Sequence, residues 1–313
     1  MNLKTGNPLF SSVLASVLIC SLVYPYVSVD DAQADSATST TSVTVSNATP
    51  VISAVTINAS AAITLTENTT KNVVVKATVT DNNGCEEITT GSGTISAVLY
   101  RSGATNGAAC TASNNDCYPV TLTVDTGTCS GASDTSFDVT GSADLKHYAD
   151  PTDAGSAHAA ETWKTTVSAF DGNATGTGDA TVELNTLSAL DISGNIAYGS
   201  LGVGTNSGST PQTVVVTNTG NVAMDPQVSS SAAMNCTVGT IPVANQKYSA
   251  TTFTYTSGGT ALSATPTTLN LTLPKQTTAS AVTSTSYWGI GIPASGVSGT
   301  CGGSNTFAAG TAV

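Results

Sequence analysis

The sequence has little charge, and very little of it is positive. Only 9% of the 313 residues are charged, and Lys plus Arg number eight against 20 Asp plus Glu, for a formal net charge of −12. About a quarter of residues are charged in ordinary globular proteins. So few cations cannot neutralise a row of phosphates, which excludes nucleic-acid binding. The shortage of Lys, Glu and Arg also disfavours long solvated helices.

The residues present in excess are those of strands and turns. Ser and Thr together make up about 30% of the chain, well above ordinary usage. Thr and Val fit a pleated, half-buried surface, while 29 Gly and 11 Pro supply turns. The apolar fraction of 40% is enough to bury a core in each of two domains. The composition therefore predicts an all-β chain of two domains.

The N-terminus has the pattern of a secretory signal peptide. Lys4 precedes an apolar run over Leu9–Val23, and the small residues Ala32 and Ala34 follow it. We expect residues 1–34 to be removed by cleavage after Ala34. An uncleaved membrane anchor is the alternative, but the run contains serines and is shorter than the ~20 residues that span a bilayer. We expect a secreted protein, extracellular or at the cell surface, with no membrane span in the mature chain.

The cysteines agree with an oxidising compartment. Removal of Cys20 with the signal peptide leaves six, an even number without C-x-x-C pairs, so we expect disulfides rather than a zinc site. If the two domains are separate, the last two cysteines must pair with each other, and the first four allow three connectivities. The pairs that we favour are Cys236–Cys301, Cys110–Cys117 and Cys85–Cys129.

Strand-length apolar runs begin after a Ser/Thr-rich leader at residues 35–50. In Asn72–Thr80, Val73 and every second residue after it are apolar, whereas Lys76, Thr78 and Thr80 on the other face are polar. This period of two indicates a half-buried strand. About eight such runs, separated by turn clusters, predict an antiparallel sandwich of two packed sheets over residues 51–186. A second set predicts another sandwich over residues 187–313.

Apolar alternation also predicts the core of the second domain. Trp288 falls in register with Ile290 and Ile292, and we therefore expect it in the core rather than on a ligand-binding surface. A facing strand would contribute Leu269, Leu271 and Leu273. A third strand would contribute Val214 and Val216, or their neighbour Val215.

Three segments carry a resemblance to a known family: Val214–Asn221 (VVVTNTGN), Ala77–Cys85 (ATVTDNNGC) and Ile95–Gly103 (ISAVLYRSG). The first contains a Thr-Asn-Thr-Gly-Asn strand and turn, where the chain leaves the strand through Asn and Gly, which tolerate positive φ. The second ends a strand in Val-Thr-Asp-x-x-Gly. These segments resemble those of secreted bacterial and archaeal cell-surface proteins with tandem immunoglobulin-like domains. The resemblance implies two tandem immunoglobulin-like β-sandwiches, an extracellular location and no enzymatic activity.

Several polar loops offer oxygen ligands of the kind that calcium prefers. They are Asp81–Gly84, Asp150–Asp153 and Asp171–Asn173. None of them has the spacing of an EF-hand, and Asp, Asn and Gly are also the usual residues of turns. The weak calcium candidates are Asp81, Asn83, Asp150 and Asp153. We otherwise expect no cofactor and no catalytic residues.

The sequence favours a non-catalytic structural or adhesion protein whose partners are other cell-surface proteins or glycans. A first alternative is a filament or surface-layer subunit in which Ser39–Asn47, with Val43 and Val45 alternating, completes the sheet of a neighbouring copy. A second is a carbohydrate-binding module, for which Tyr100, Tyr118 and Tyr148 would be exposed aromatic contacts. An enzyme acting on glycosides would need two carboxylates; the acids near Tyr148, such as Glu161, fit a polar loop equally well.

Overall fold

The structure is a computed structural model that describes residues 38–105, 107–111 and 114–310. It is all-β, with 42% of residues in strands and 5% in helices, and its sheets are antiparallel. All of its strands lie in the compact unit Ser46–Val313. Residues 38–50 form no helix or strand, and the expected signal peptide lies outside the described residues. Among the described residues, no helix is long and apolar enough to cross a membrane.

The first half of this unit is one seven-stranded antiparallel sheet. Its strands are β1 (Val51–Ile57), β2 (Thr70–Thr80), β3 (Thr94–Arg101), β4 (Cys117–Val124), β5 (Ser136–Lys146), β6 (Trp163–Phe170) and β7 (Thr175–Val182). Their order in the sheet is β1-β2-β5-β4-β3-β6-β7. A short helix, α1 (Glu86–Thr89), follows β2.

The sheet folds into a sandwich-like arrangement because β4 changes partner along its length. Residues 117–120 of β4 pair with β3, whereas residues 121–124 pair with β5. The strands β1, β2 and β5 therefore lie on one side of this change, and β3, β6 and β7 lie on the other. One hydrophobic cluster contains buried residues from both sets, including Val75 of β2 and Val167 of β6.

The alternation expected in β2 is present. Val73, Val75 and Val79 are fully buried, and Ala77 is nearly so. Lys76, on the opposite face, is exposed. Residues 62–65, between β1 and β2, do not form a strand, and Ile63 makes only an isolated bridge to Leu184.

The second half contains three smaller sheets. Their strands are β8 (Leu190–Ser193), β9 (Gln212–Asn218), β10 (Gln227–Ser229), β11 (Met234–Val238), β12 (Thr240–Ile241), β13 (Gln246–Ser249), β14 (Thr260–Ala261), β15 (Thr267–Thr268), β16 (Val282–Ile290), β17 (Ser298–Gly302) and β18 (Thr306–Ala308). The orders within the three sheets are β14-β13-β16-β9-β8, β15-β10-β18 and β12-β11-β17. Three short 3₁₀ turns complete the described elements, at Asn58–Ser60, Gly107–Ala109 and Val243–Asn245.

A second hydrophobic cluster forms the core of this half. Trp288 of β16 is fully buried, as expected, and its ring lies 5.7 Å from that of Tyr248 and 5.5 Å from that of Phe307. Val214 and Val216 of β9 are buried and belong to the same cluster. The register left open by the sequence is therefore the one in which these two valines face the core.

The expected strand carrying three inward leucines does not form. The strand β15 ends at Thr268, and both Asn270 and Thr272 have positive φ angles, 57° and 42°. Regular alternation is lost because positive φ breaks the extended backbone. Leu269 and Leu273 are still buried, but Leu271 is only half-buried. Ile292, expected to point inward, is also only half-buried.

Three disulfides join the six cysteines that follow residue 34, in the pairs favoured from the sequence. Cys85, which precedes α1, is bonded to Cys129 in the loop between β4 and β5. The bond between Cys110 and Cys117 closes the loop before β4. Cys236 and Cys301 are directly opposite each other on β11 and β17. Each bond limits the conformations of the unfolded chain and so stabilises the fold.

Thiol labelling should therefore find no free thiol among the six cysteines that follow residue 34. We expect almost no labelling after denaturation without a reductant, and labelling of all six cysteines after reduction, because each is half of a disulfide. The reduced sample is the control for reagent access. Stoichiometric labelling of the unreduced protein would contradict the disulfide assignment.

Candidate functional site

Three carboxylates from separate parts of the chain converge at one end of the first sheet. Asp81 directly follows β2, Asp171 directly follows β6, and Glu87 lies in α1. One oxygen of each lies within 4.8 Å of the other two. We call these three residues the carboxylate cluster. Such oxygens are the ligands that hard divalent cations take.

Asp81 is held in place by the turn that it begins. Its Oδ1 accepts a hydrogen bond of 2.9 Å from the backbone N–H of Asn83, and its own N–H donates to the carbonyl of Thr135 at 2.8 Å. Gly84 completes the turn with φ +114°, a conformation that favours glycine, and a Cβ there would collide with the Ala132 carbonyl. Asp81 is 1% exposed, and its Oδ2 is buried without a hydrogen-bond partner in the described part of the chain.

Asp171 is held by a second turn and by the segment before β1. Its Oδ1 accepts hydrogen bonds of 2.7 Å from the N–H groups of Asn173 and Ala174, and its Oδ2 accepts one of 2.9 Å from the Asn47 side chain. Burial acts to raise the pKa of Asp171, but these hydrogen bonds outweigh it and hold the pKa below its ordinary value. Asp171 is therefore an ionised, oriented carboxylate.

The four calcium candidates have different environments in the structure. Asp81 belongs to the carboxylate cluster, while the side-chain oxygen of Asn83 accepts a hydrogen bond of 2.6 Å from the Ala48 N–H. Asp153 accepts one from the Thr186 hydroxyl at 2.7 Å. Neither Asp150 nor Asp153 belongs to a group of three metal-ligating side chains among the described residues.

Glu87 is the member of the cluster that the sequence analysis missed. It lies six residues after Asp81 and far from Asp171, and no spacing motif connects the three. The available signal was the acidic pair Glu86–Glu87, which stands next to a cysteine expected to form a disulfide. Only the fold brings Glu87 to the ends of β2 and β6.

Asp150 is the centre of a buried network of ion pairs. Its Oδ2 accepts a hydrogen bond of 2.9 Å from Arg101 Nε, and Asn115 donates to both of its oxygens at 3.0 Å. Its Oδ1 pairs with the ammonium group of Lys275, which comes from the second half of the chain. The side chain of Asp150 is 2% exposed. Arg101 also pairs with Glu161.

This network keeps Asp150 ionised. Burial alone would raise the pKa of Asp150, but the bonds from Lys275 and Asn115 and the charge of Arg101 lower it below its ordinary value. Asp150 contacts two cationic side chains, Arg101 and Lys275, so its role is structural. Its oxygens face these positive charges and not a metal ion.

The halves of the chain are also joined by a buried asparagine. The side-chain oxygen of Asn221 accepts a hydrogen bond of 2.7 Å from the Leu187 N–H, and its amide donates to the Asn185 carbonyl at 3.1 Å. Lys275 adds a hydrogen bond to the Tyr148 carbonyl at 3.0 Å. Asn221 is fully buried. Because buried polar groups need fixed partners, these bonds define one geometry for the junction.

The three tyrosines proposed as exposed carbohydrate contacts are buried, so that expectation was wrong. Tyr100, Tyr118 and Tyr148 are 7%, 1% and 5% exposed. The Tyr118 ring packs 5.8 Å from that of Trp163, and its hydroxyl oxygen accepts a hydrogen bond from the Lys146 N–H. Burial raises the pKa of Tyr118.

The Thr-Asn-Thr-Gly-Asn motif is used for packing rather than for a left-handed turn. Asn218 is fully buried and donates hydrogen bonds to the carbonyls of Val222 and Pro274 at 2.8 and 3.0 Å. Gly220 is not among the residues with positive φ. Its lack of a side chain is needed because a Cβ would collide with the Leu187 carbonyl.

No protein-family model matches the sequence, and no curated protein is significantly similar to it.

Proposed function

We propose that the chain is a secreted, non-catalytic structural or adhesion protein built of two tandem immunoglobulin-like sandwiches. Residues 1–34 would be its signal peptide, 35–50 a leader, and 51–186 and 187–313 the two domains. Its partners would be other cell-surface proteins or glycans. The observation that carries the proposal is the presence of three disulfides, which form and persist in oxidising, extracellular compartments.

The strand order supports the immunoglobulin-like assignment of the first domain. With β1 to β7 taken as strands A to G, the order A-B-E-D then C-F-G corresponds to the two sheets of a constant-type immunoglobulin domain. The strand β4 occupies position D and also pairs with β3. The separate hydrophobic cluster of the second half supports a second domain with its own core.

The contacts between the two halves of the chain support a structural role. Lys275, Asp150 and Asn221 connect the two halves through buried or half-buried polar contacts. Such contacts hold two modules in one orientation, whereas relative motion is the default for modules joined by an open linker. A fixed orientation suits a protein that spaces or presents other groups at a surface.

Secretion can be tested through the N-terminus of the protein in the producing cell. We expect mass spectrometry of the extracellular or surface fraction to find a mature chain that begins at Asp35, because Ala32 and Ala34 fit a signal peptidase. Ala34→Leu should block or move the cleavage, whereas the matched control Ala37→Leu should leave it at Asp35. Intracellular protein that retains Met1 would contradict the proposal.

Self-assembly through the leader is a second candidate, favoured by exposed apolar side chains. Val43 and Val45 are 86% and 77% exposed, and they alternate as in a strand that pairs on one face. Deletion of residues 35–45 should abolish any polymers seen by electron microscopy and leave a folded monomer. The deletion stops before Asn47 because that side chain bonds to Asp171. Polymers that persist in the deleted protein would exclude the leader as the connecting strand.

A further inference from the structure

We propose that the carboxylate cluster of Asp81, Glu87 and Asp171 binds one calcium ion. The like charges of the three carboxylates support this proposal. Three carboxylates approach one another from the end of β2, the end of β6 and α1, and no salt bridge among the described residues includes any of them. Like charges at this separation repel, and a bound divalent cation removes the repulsion.

The Oδ2 oxygen of Asp81 supports the site independently of the clustering. It is buried and accepts no hydrogen bond from any residue that the structure describes, although Asp81 is only 1% exposed. Buried polar atoms nearly always have a partner, and each exception requires an explanation. A metal ion coordinated by Oδ2 supplies the missing partner.

The distances between the three ligand oxygens also fit calcium. Oxygens that coordinate the same calcium ion lie about 2.3–2.6 Å from it, so two of them can be at most about 5 Å apart. The cluster meets this condition, since the three ligand atoms lie within 4.8 Å of one another. Magnesium requires shorter bonds, about 2.0–2.1 Å, and near-octahedral geometry. The donor set contains neither His nor Cys, which zinc prefers.

The carboxylates of Asp81 and Asp171 are already oriented. Backbone N–H groups hold Oδ1 of each, and the Asn47 side chain donates one hydrogen bond to Oδ2 of Asp171, which leaves a second lone pair on that oxygen for a metal. Cys85, just before α1, is tied by its disulfide to Cys129, which fixes the base of the helix that carries Glu87. Oriented ligands lose little freedom when an ion binds. Calcium here would cross-link the ends of β2, β6 and α1.

Calorimetric titration and thermal melts of the mature, disulfide-bonded protein test this site. Calcium chloride is titrated to about 10 mM, since extracellular modules bind calcium with Kd values of about 10⁻⁴–10⁻³ M. We expect one calcium per chain and a melting temperature that is higher in calcium than in EDTA. Magnesium at the same concentration should give a smaller increase.

Matched variants assign the binding to these side chains. Glu87→Gln and Asp81→Asn should each weaken calcium binding about tenfold or more, because affinity follows ligand charge. Glu183→Gln, an exposed acid outside the cluster, should bind as the original protein does. Asp81→Asn should also melt no lower than the original protein in EDTA, since it removes one of three repelling charges. Glu87→Gln keeps the test valid if Asp81→Asn fails to fold.

Three results would each overturn the proposal. The first is no heat of calcium binding together with no change in melting temperature, and the second is an equal response to magnesium. The third is calcium binding that is the same in Glu87→Gln as in Glu183→Gln. None of these measurements depends on where the protein is located in or outside the cell, so failure of the calcium site and failure of the proposed function are separate outcomes.

Discussion

Trp288→Ala should lower the free energy of unfolding by about 3–5 kcal/mol, which is enough to unfold a marginally stable domain. Trp288 is fully buried, lies between Tyr248 and Phe307, and donates a hydrogen bond of 3.0 Å from its Nε1 to the Ser286 hydroxyl. Truncation to alanine removes both ring contacts and leaves a cavity next to Tyr248 and Phe307. It also leaves the Ser286 hydroxyl without this donor.

Urea and thermal unfolding of the mature protein measure this loss, with Tyr287→Ala as the control. Tyr287 is the preceding residue of the same strand, on the opposite face and only half-buried. Its truncation should cost about 1 kcal/mol. An unaltered melt for Trp288→Ala would contradict the core position and would restore a ligand-binding role for this side chain.

Asp150→Ala should be the next most damaging substitution, with a loss of about 3 kcal/mol. The change leaves Lys275 without its carboxylate and removes the Arg101 Nε partner, while Arg101 keeps Glu161. Breaking a buried ion pair by removing one member is costly because the other charge stays desolvated. The loss should affect both halves of the chain, since Lys275 and Arg101 belong to different halves.

The exposed ion pair between Lys164 and Asp179 is the control for Asp150. Its side chains are 30% and 48% exposed, and Asp179→Ala should cost about 1 kcal/mol or less. Urea unfolding gives both values under the same conditions. Equal small losses for Asp150→Ala and Asp179→Ala would show that the buried network does not stabilise the junction.

Acid should remove the contribution of Asp150. In the folded protein, burial acts to raise the pKa of Asp150, but Lys275, Asn115 and Arg101 hold it below its ordinary value of 3.8. A carboxyl with a lowered pKa stabilises the fold fully above its unfolded pKa, and the contribution falls as the pH drops through the folded pKa. The difference in stability between the original protein and Asp150→Asn should therefore be constant near neutral pH and shrink below about pH 4. A difference that grows on acidification would contradict this sign.

The strands that the sequence predicted best are those in which burial alternates without interruption. In β2 the apolar and polar faces can be read directly, because each second residue meets the same core. The predicted strand through Leu271 failed because positive φ at Asn270 and Thr272 overrides the local pattern. Asn270 gave a weak warning, since Asn tolerates this conformation, but Thr272 gave none.

The carboxylate cluster and the Asp150 network could not be predicted because their members are distant in sequence. Lys275 and Asp150 are separated by 125 positions, and the contact exists only after the two halves meet. Asp81 and Asp171 each look like an ordinary turn residue, and each does form a turn. What the turns do not reveal is that both lie at the same end of the sheet, next to α1.

Immunogold electron microscopy of intact producing cells tests the central claim, a structural protein outside the cytoplasm, most directly. Antibodies raised against the mature chain should label the outer surface or extracellular material of cells that have not been permeabilised, and Ala34→Leu should change the processing of the chain that is labelled. Label that appears only after permeabilisation, within the cytoplasm, would contradict the account.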